Sequence, residues 1–300
     1  MKTSTEIASA AKLIGEERAI EAYARAGFDA WDFSMFEMCR FDWIRGDVIP
    51  SDHPLAGKHA LSFARRLRQI GFDNGIRCNQ SLAPFPSSCP PIRDHLKLAI
   101  ECTAEAGGQI CIIHPDNNAT PEQNAEMYRE LLPFAKSCNV KIATENMWNW
   151  DNDTNHSTFA ACATSESFIA HLDALNDPSF VACLDLGHAE MFGVNTSAVK
   201  MIHKLGSHLQ ALHIHDNDKL HDSHQIPFSM QIDFIPVIQA LKDINYQGYF
   251  TLEADQYFSA YSTENITEGI EKLAQAVHQF ENLFLALSIK KPSLLSQRRF

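Results

Sequence analysis

Long apolar stretches and an excess of basic residues are both missing from this 300-residue sequence. No apolar run approaches the roughly 18 residues that a membrane-spanning helix needs, and the first residues lack the apolar segment of a secretory signal. Lysine and arginine number 25 against 37 aspartates and glutamates, which gives a formal net charge of −12. Because general nucleic-acid binding needs a broad cationic surface, this balance argues against a nucleic-acid partner. We therefore expect a cytoplasmic protein with no membrane or nucleic-acid partner.

Cysteine pairs at metal-binding spacing and glycine-rich nucleotide loops are absent as well. The eight cysteines show no C-x-x-C spacing, and several lie inside apolar, strand-like runs, which is typical of reduced core residues. No G-x-G-x-x-G sequence follows the first predicted strands, so a dinucleotide-binding fold has no support. The apolar fraction of 45% and the charged fraction of 21% are ordinary for a globular chain.

Apolar, β-rich runs alternate with segments of helical periodicity along nearly the whole chain. This alternation predicts an α/β protein of parallel strands joined by right-handed helical crossovers. Clear strands are predicted over 28–35, 76–82, 109–114, 140–146, 180–186, 209–216 and 249–254. A weak strand is placed over 1–8. These strands predict a single (βα)₈ TIM barrel over 1–300, for which about 250 residues is typical, with a short basic tail at about 289–300.

Carboxylate and imidazole side chains recur at the C-terminal ends of the predicted strands. In a parallel barrel these ends share one rim, where the active sites of that fold lie. Four adjacent strands supply the residues that we call the rim cluster: Glu145, Asp185, His213 and Glu253. Carboxylates that converge without a cation would repel one another by about 4 kcal/mol per close pair, so either their protonation shifts or a divalent ion lies among them. Three oxygen ligands and one nitrogen favour manganese or magnesium, with zinc and cobalt also allowed.

Histidine is the one unusual count, since the chain has 14, and seven of them fall between His188 and His224. Taken singly, His114, His188 and His215 are expected to be ordinary hydrogen-bonded histidines by roughly two to one, because lone motifs often mislead. Trp148 and Trp150 are expected to be packing residues or pocket walls. The rim cluster differs from these because four strands each supply a metal-capable group at the same end.

Several short motifs, taken in order, resemble the xylose isomerase-like TIM-barrel superfamily of sugar phosphate isomerases and epimerases. They cover about 27–253 and comprise GFDAWDF, LAPFP, IIHP, ATEN, CLDLGH, LHIHD followed by DSH, IDF and YQGYFTLE. The resemblance implies that the rim cluster holds one divalent metal ion, manganese first, with magnesium, cobalt and zinc as alternatives. It also implies that Glu145 and Glu253 move protons on opposite faces of a sugar, as in the ketose 3-epimerases.

The resemblance further implies residues that contact the substrate. His188, three residues after Asp185, matches a substrate-contacting histidine. Asp151 and Lys219 stand where the ketose 3-epimerases carry a glutamate and an arginine that bind the sugar. Because both are changed in type, the identity of the substrate does not transfer. The other predicted substrate-binding residues are His114, Trp148, Asp222 and His224.

Four functions stay open from the sequence. The first is an isomerase or epimerase that acts through an enediolate on a sugar, polyol or hydroxy-keto compound. Phe228 and Met230 replace glycines that the family often carries near a proline, which favours an unphosphorylated carbohydrate. The second is a phosphodiesterase like the three-metal apurinic-site endonucleases of the superfamily, although Leu82 replaces one histidine ligand of their pattern.

The remaining two functions share the same barrel. A dehydratase or lyase would differ from an isomerase in its product, and a sugar-binding protein with a degenerate site would have no activity. The intact rim cluster argues against the sugar-binding protein. A homo-oligomer is compatible with the sequence.

Overall fold

Eight parallel strands follow one another around a closed barrel in the computed structural model, which describes residues 1–288. We number them β1 to β8: Lys2–Thr5, Ala30–Ser34, Arg77–Leu82, Ile110–Ile112, Lys141–Glu145, Phe180–Asp185, Leu209–His213 and Tyr249–Leu252. Strands β2 to β7 pair in chain order, and β1 pairs with β8. Parallel bridges from Glu6 to Asp32 and from Ile214 to Leu252 close the ring. The predicted (βα)₈ barrel is therefore confirmed, including its weak first strand, and the predicted basic tail lies outside the described residues.

Helices cover the outside of the barrel, and one of them begins at a clear capping signal. The helix Pro121–Ser137 starts with a capping box, in which the Thr120 hydroxyl accepts the Gln123 N–H and the Gln123 side chain accepts the Thr120 N–H. Within residues 1–288, no helix is both long enough and apolar enough to cross a membrane. The α-helices are Ala8–Ile14, Glu16–Ala26, Ala60–Asp73, Pro90–Arg93, Leu96–Ala106, Pro121–Ser137, Ser165–Asp173, Leu186–Glu190, Ala198–Leu205, Phe234–Asp243 and Ile266–Ser288.

The strand β2 shows how alternation divides its side chains between two environments. Trp31 and Phe33 are fully buried in the large apolar cluster that includes residues of the outer helices, such as Tyr23. Asp32, which lies between them, joins a polar network with side chains of β3 and β7. Because successive side chains of a strand point to opposite faces, Asp32 faces the barrel interior.

The barrel interior combines a small apolar cluster with this polar network. Gln80 Nε2 donates to Asp32 Oδ2 at 2.8 Å, and Ser4 Oγ donates to Asn79 Oδ1 at 2.6 Å. Thr251 Oγ1 donates to Gln80 Oε1 at 3.3 Å. Because buried polar groups are costly unless paired, these bonds fix the side chains directly beneath the rim. The apolar cluster consists of Leu82, Ile112, Ala143, Val181, Cys183 and Ala211.

Two short β-hairpins are added to the rim, after β2 and after β5. The first hairpin pairs Arg40–Asp42 with Asp47–Ile49, and the second pairs Asn149–Asp151 with His156–Thr158. All eight cysteine side chains are free, as the sequence predicts.

Glu6, which follows β1, is a buried carboxyl group whose ionisation opposes folding. Its side chain accepts the backbone N–H of Ser9 at 3.1 Å, and it is only 2% exposed. Burial, together with repulsion from Asp255 and Asp32, raises the pKa of Glu6 from 4.5 to about 7. The folded state thus holds this proton more tightly than the unfolded state does. The free energy of unfolding therefore falls as the pH rises from about 4.5 through about 7.

Replacing Glu6 with glutamine should remove that loss. We expect Glu6→Gln to raise the free energy of unfolding by about 3 kcal/mol at about pH 8 and to change it little at about pH 4, as measured by urea denaturation. The exposed Glu126 offers a matched control, because Glu126→Gln should change neither value. A gain of equal size at both pH values would contradict the prediction.

Candidate active site at the carboxyl rim of the barrel

The four members of the rim cluster come together at one end of the barrel. Glu145, Asp185 and His213 are the last residues of β5, β6 and β7, and Glu253 follows β8 directly. One ligand-capable atom of each residue lies within 4.8 Å of those of the other three. All four side chains are buried. The cluster therefore places three carboxyl groups around one imidazole, shielded from water.

His213 lies between the carboxyl groups. Its Nδ1 atom is 3.2 Å from Glu145 Oε1 and 3.2 Å from Glu253 Oε2, while its Nε2 atom is 3.1 Å from Asp32 Oδ2. Burial by itself lowers the pKa of His213, but the negative charges of Glu253 and Glu145 and the contact with Asp32 raise that pKa well above its usual value. The surrounding carboxylates thus stabilise a positive charge at Nδ1.

The two glutamates of the cluster differ in acidity. Burial by itself raises the pKa of Glu145, but His213 and His114 hold it well below its usual value, and His114 Nε2 is 3.3 Å from Glu145 Oε2. Burial raises the pKa of Glu253 well above its usual value, and the charges of Glu145 and Asp185 act in the same direction, against His213. Two carboxyl groups whose pKa values are pushed apart are suited to act as a base and an acid.

A second group of ligand-capable side chains adjoins the first, and we call it the histidine cluster: His188, His215, Asp222 and His224. Asp222 Oδ2 is 3.1 Å from Nε2 of both His188 and His224. The rings of His215 and His224 stack with centroids 3.9 Å apart. Burial lowers the pKa of His188, but Asp185 and Asp222 raise it to about 10. Four of the seven histidines between His188 and His224 thus lie at the rim.

Local contacts tie the motifs ATEN and CLDLGH to each other. Asn146 Oδ1 accepts the backbone N–H of Asp185 at 2.8 Å, and Asn146 Nδ2 donates to the Asp185 carbonyl at 2.9 Å. Asp185 Oδ1 in turn accepts the backbone N–H of His188 at 2.7 Å and caps the short helix that carries it. Gly187 lies against the His215 ring, where an added Cβ would be 2.0 Å from Cε1, so only glycine fits there.

A cavity of about 710 Å³ opens above the two clusters. One side is aromatic and includes Phe36, Trp43 and Phe85, and another side carries Trp148 and the amide of Asn117. Five carboxyl groups line the cavity, and within residues 1–288 it is lined by no lysine or arginine. The cavity is therefore acidic and amphipathic, which suits an uncharged polar ligand with apolar faces.

The structure divides the predicted substrate-binding residues into two groups. Asp151 and Lys219 do not line the cavity: Asp151 accepts the Asp153 N–H at 2.9 Å in the second hairpin, and Lys219 Nζ is 3.4 Å from Glu190 Oε2. Their contact with a sugar stays a prediction. Those that line the cavity are His114, Trp148, His188, Asp222 and His224.

Asp32 and His215 belong to the site although the sequence did not assign them to it: Asp32 was not singled out, and His215 was expected to be an ordinary hydrogen-bonded histidine. Asp32 lies between Trp31 and Phe33, and period-two alternation alone would have placed a charged group inside the barrel. His215 is two residues after His213, a spacing that puts two strand residues on the same face.

Comparison with known proteins agrees with the fold. The family model described as xylose isomerase-like TIM barrel matches residues 20–276. The uncharacterized protein MJ1311 of Methanocaldococcus jannaschii is 25% identical over 283 residues, which cover 88% of each chain. Among solved structures, a D-tagatose 3-epimerase-like protein is 18% identical with a TM-score of 0.71, over 96% of this chain and 100% of that chain. An L-ribulose 3-epimerase is 18% identical with a TM-score of 0.69 over the whole of both chains.

The family model covers most of the chain and both clusters at the rim. Its match confirms the resemblance carried by the sequence motifs. The chain belongs to the xylose isomerase-like TIM-barrel family.

Proposed function

We propose that this protein is a metal-dependent epimerase or isomerase that acts through an enediolate on an unphosphorylated sugar, polyol or related hydroxy-keto compound. The observation that carries the proposal is the rim cluster, in which ligand-capable atoms of three carboxyl groups and one imidazole lie within 4.8 Å of one another. The names of two structural neighbours, a D-tagatose 3-epimerase-like protein and an L-ribulose 3-epimerase, support a sugar as the substrate.

The rim cluster fits a divalent metal ion. Asp185 Oδ2 is buried without a hydrogen bond, which costs free energy unless a cation compensates it. Three carboxylates and one imidazole suit manganese or magnesium, and cobalt and zinc are compatible. The residues that would hold the ion are Glu145, Asp185, His213 and Glu253. When bound, such an ion acts as a Lewis acid that polarises a carbonyl group and stabilises negative charge on its oxygen.

The two glutamates supply the proton transfers. In one direction Glu145 accepts the proton from the carbon next to the substrate carbonyl. The C–H bonding electrons move toward the carbonyl oxygen, which gives the enediolate. Glu253 then returns a proton to the enediolate from the other side of the substrate. Return on the opposite face of the same carbon gives an epimer, and return to the neighbouring carbon gives an aldose–ketose isomer. Each positioned carboxyl group contributes about 10²–10⁴-fold to the rate.

The charge of the cavity favours an uncharged substrate. Enzymes that bind sugar phosphates commonly pair the phosphate with arginine, lysine or backbone N–H groups. Within residues 1–288, the cavity is lined by five carboxyl groups and by no basic side chain other than histidine. A phosphate group would therefore meet no lysine or arginine among the described residues that line the cavity.

A phosphodiesterase is the second candidate, and the histidine cluster favours it. That cluster could hold a further metal ion beside the rim cluster, because its ligand-capable atoms also lie within 4.8 Å of one another. The acidic cavity weighs against a polyanionic DNA substrate. The number of metal ions per chain separates the two candidates, since the epimerase requires one and the phosphodiesterase two or three.

Exchange of carbon-bound hydrogen tests the proposed function directly. Metal-replete protein should incorporate deuterium from deuterated water next to the carbonyl group of a neutral ketose and release its epimer or isomer, as followed by NMR. A chelator should stop the exchange, and the added metal should restore it. A dehydrated product would indicate a lyase, and cleavage of an abasic duplex would indicate the phosphodiesterase. No exchange with any sugar of a broad neutral panel would contradict the proposal.

A further inference from the structure

A continuous series of aromatic rings leads from the rim cluster to solvent along one side of the cavity. His114 contacts Glu145, and the ring of Phe85 lies 4.7 Å from that of His114, measured between centroids. Trp43 follows at 6.1 Å from Phe85. Phe36 and Phe41 flank this path, at 5.1 Å from Phe85 and 4.9 Å from Trp43. We call Phe36, Phe41, Trp43 and Phe85 the aromatic wall.

Together with His114, the aromatic wall leads from the rim cluster to the exposed first hairpin. His114, at its inner end, is 8% exposed, whereas Trp43, at the tip of the first hairpin, is 67% exposed and still lines the cavity. A volume of about 710 Å³ lies in the upper part of the range of about 300–1,000 Å³ that is typical of pockets for drug-sized ligands. One sugar ring at the rim cluster would leave the outer part of the wall uncovered.

Amide groups line the same cavity on another side. Asn117 Nδ2 donates to the Trp148 carbonyl at 3.0 Å, and Asn149 Nδ2 donates to Asn118 Oδ1 at 3.0 Å. Each of these amides has further donor or acceptor positions for hydroxyl groups. Sugar rings present C–H groups on their faces and hydroxyl groups at their edges, so an aromatic wall and amides suit a sugar ring at the outer position as well.

We propose that the substrate is a neutral glycoside, with its reacting ring at Glu145 and Glu253 and its glycosidic substituent packed against the aromatic wall. This inference rests on the proposed function, which it makes more specific. A glycosidic bond removes the carbonyl group from the anomeric carbon, so the reacting ring must carry a ketone at another carbon. The proton on the carbon next to the ketone then passes to a glutamate, while the electron pair of the broken C–H bond moves toward the ketone oxygen. When a proton returns to carbon, these electrons form the new C–H bond and the ketone is restored. An upstream oxidation of a secondary hydroxyl group must supply such a substrate.

Binding measurements test the outer position separately from the chemistry. Calorimetric titration of the metal-loaded protein should show that a phenyl glycoside binds about tenfold more tightly than the free sugar. Trp43→Ala should remove most of that preference and leave the affinity for the free sugar within about twofold. Trp150→Ala is the matched control, because Trp150 belongs to the other hairpin, stacks on His221 at 5.8 Å and does not line the cavity.

The outcomes distinguish this inference from the function on which it rests. Equal affinities for the free sugar and the glycoside, or equal effects of the two tryptophan variants, would overturn the outer position. If the protein exchanges deuterium into free ketoses and shows no preference for keto-glycosides, the proposed function is supported. The inference that the substrate is a glycoside is then contradicted. A binding preference that depends on Trp43, with no exchange in any keto sugar, would support the outer position and contradict the proposed function.

Discussion

Glu145→Gln and Glu253→Gln should each lower turnover by about 10²–10⁴-fold while the barrel stays folded. Glutamine keeps the size of the side chain and one ligand oxygen, but it neither accepts nor releases the proton at working pH. Rates with the best sugar of the panel, together with circular dichroism and thermal unfolding, measure the two parts of this prediction. Glu126→Gln is a matched control, because Glu126 is exposed on the helix Pro121–Ser137, does not line the cavity and should keep full activity.

The same pair of variants shows whether the two glutamates serve opposite faces of the substrate. If they do, each variant keeps one base. Glu253→Gln should then catalyse exchange of carbon-bound hydrogen with deuterated water in one epimer only. Glu145→Gln should catalyse the same exchange in the other epimer only, and neither variant should convert one epimer into the other. Metal content must be measured alongside, because both side chains also belong to the rim cluster. Full activity in Glu145→Gln would show that the base is another residue.

The rim cluster was predictable because two local rules suffice to find it. Each of its members ends a β-rich run or follows it directly, and a parallel barrel brings those ends to one rim. Glu145 and Glu253 are more than 100 positions apart in the sequence, yet β5 and β8 bring both of them to 3.2 Å from His213 Nδ1. No knowledge of the loops is needed for this step.

The walls of the cavity were not predictable in the same way, because loop conformations place them. Trp43 reaches the cavity through a hairpin whose position depends on its contact with Phe85, 42 residues later. Lys219 stands at the spacing of a family arginine, but it has a φ of 65°, and its carbonyl accepts the N–H of Phe192 at 2.7 Å. Its side chain then meets Glu190 rather than the cavity. Such long-range contacts leave no local pattern in the sequence.

Asp32→Asn should weaken metal binding by about 10–100-fold, although Asp32 is outside the rim cluster. Asp32 Oδ2 is 3.1 Å from His213 Nε2 and also accepts a hydrogen bond from Gln80 at 2.8 Å, so its position is fixed. A carboxylate at Nε2 keeps the proton on that nitrogen and leaves Nδ1 free to face Glu145 and Glu253. Asparagine lacks the charge that holds this tautomer, so the lone pair of Nδ1 becomes less available.

A competition titration against a metal-chelating dye measures this loss without depending on turnover. Ser4→Ala is the control, because it breaks the buried bond from Ser4 to Asn79 in the same network without touching His213. Ser4→Ala should keep the metal affinity within about twofold of that of the unmodified protein. This control distinguishes the loss of imidazole orientation in Asp32→Asn from general damage to the network. Equal losses in the two variants would make Asp32 a purely structural residue. Unchanged affinity in Asp32→Asn would mean that the imidazole is oriented without help from β2.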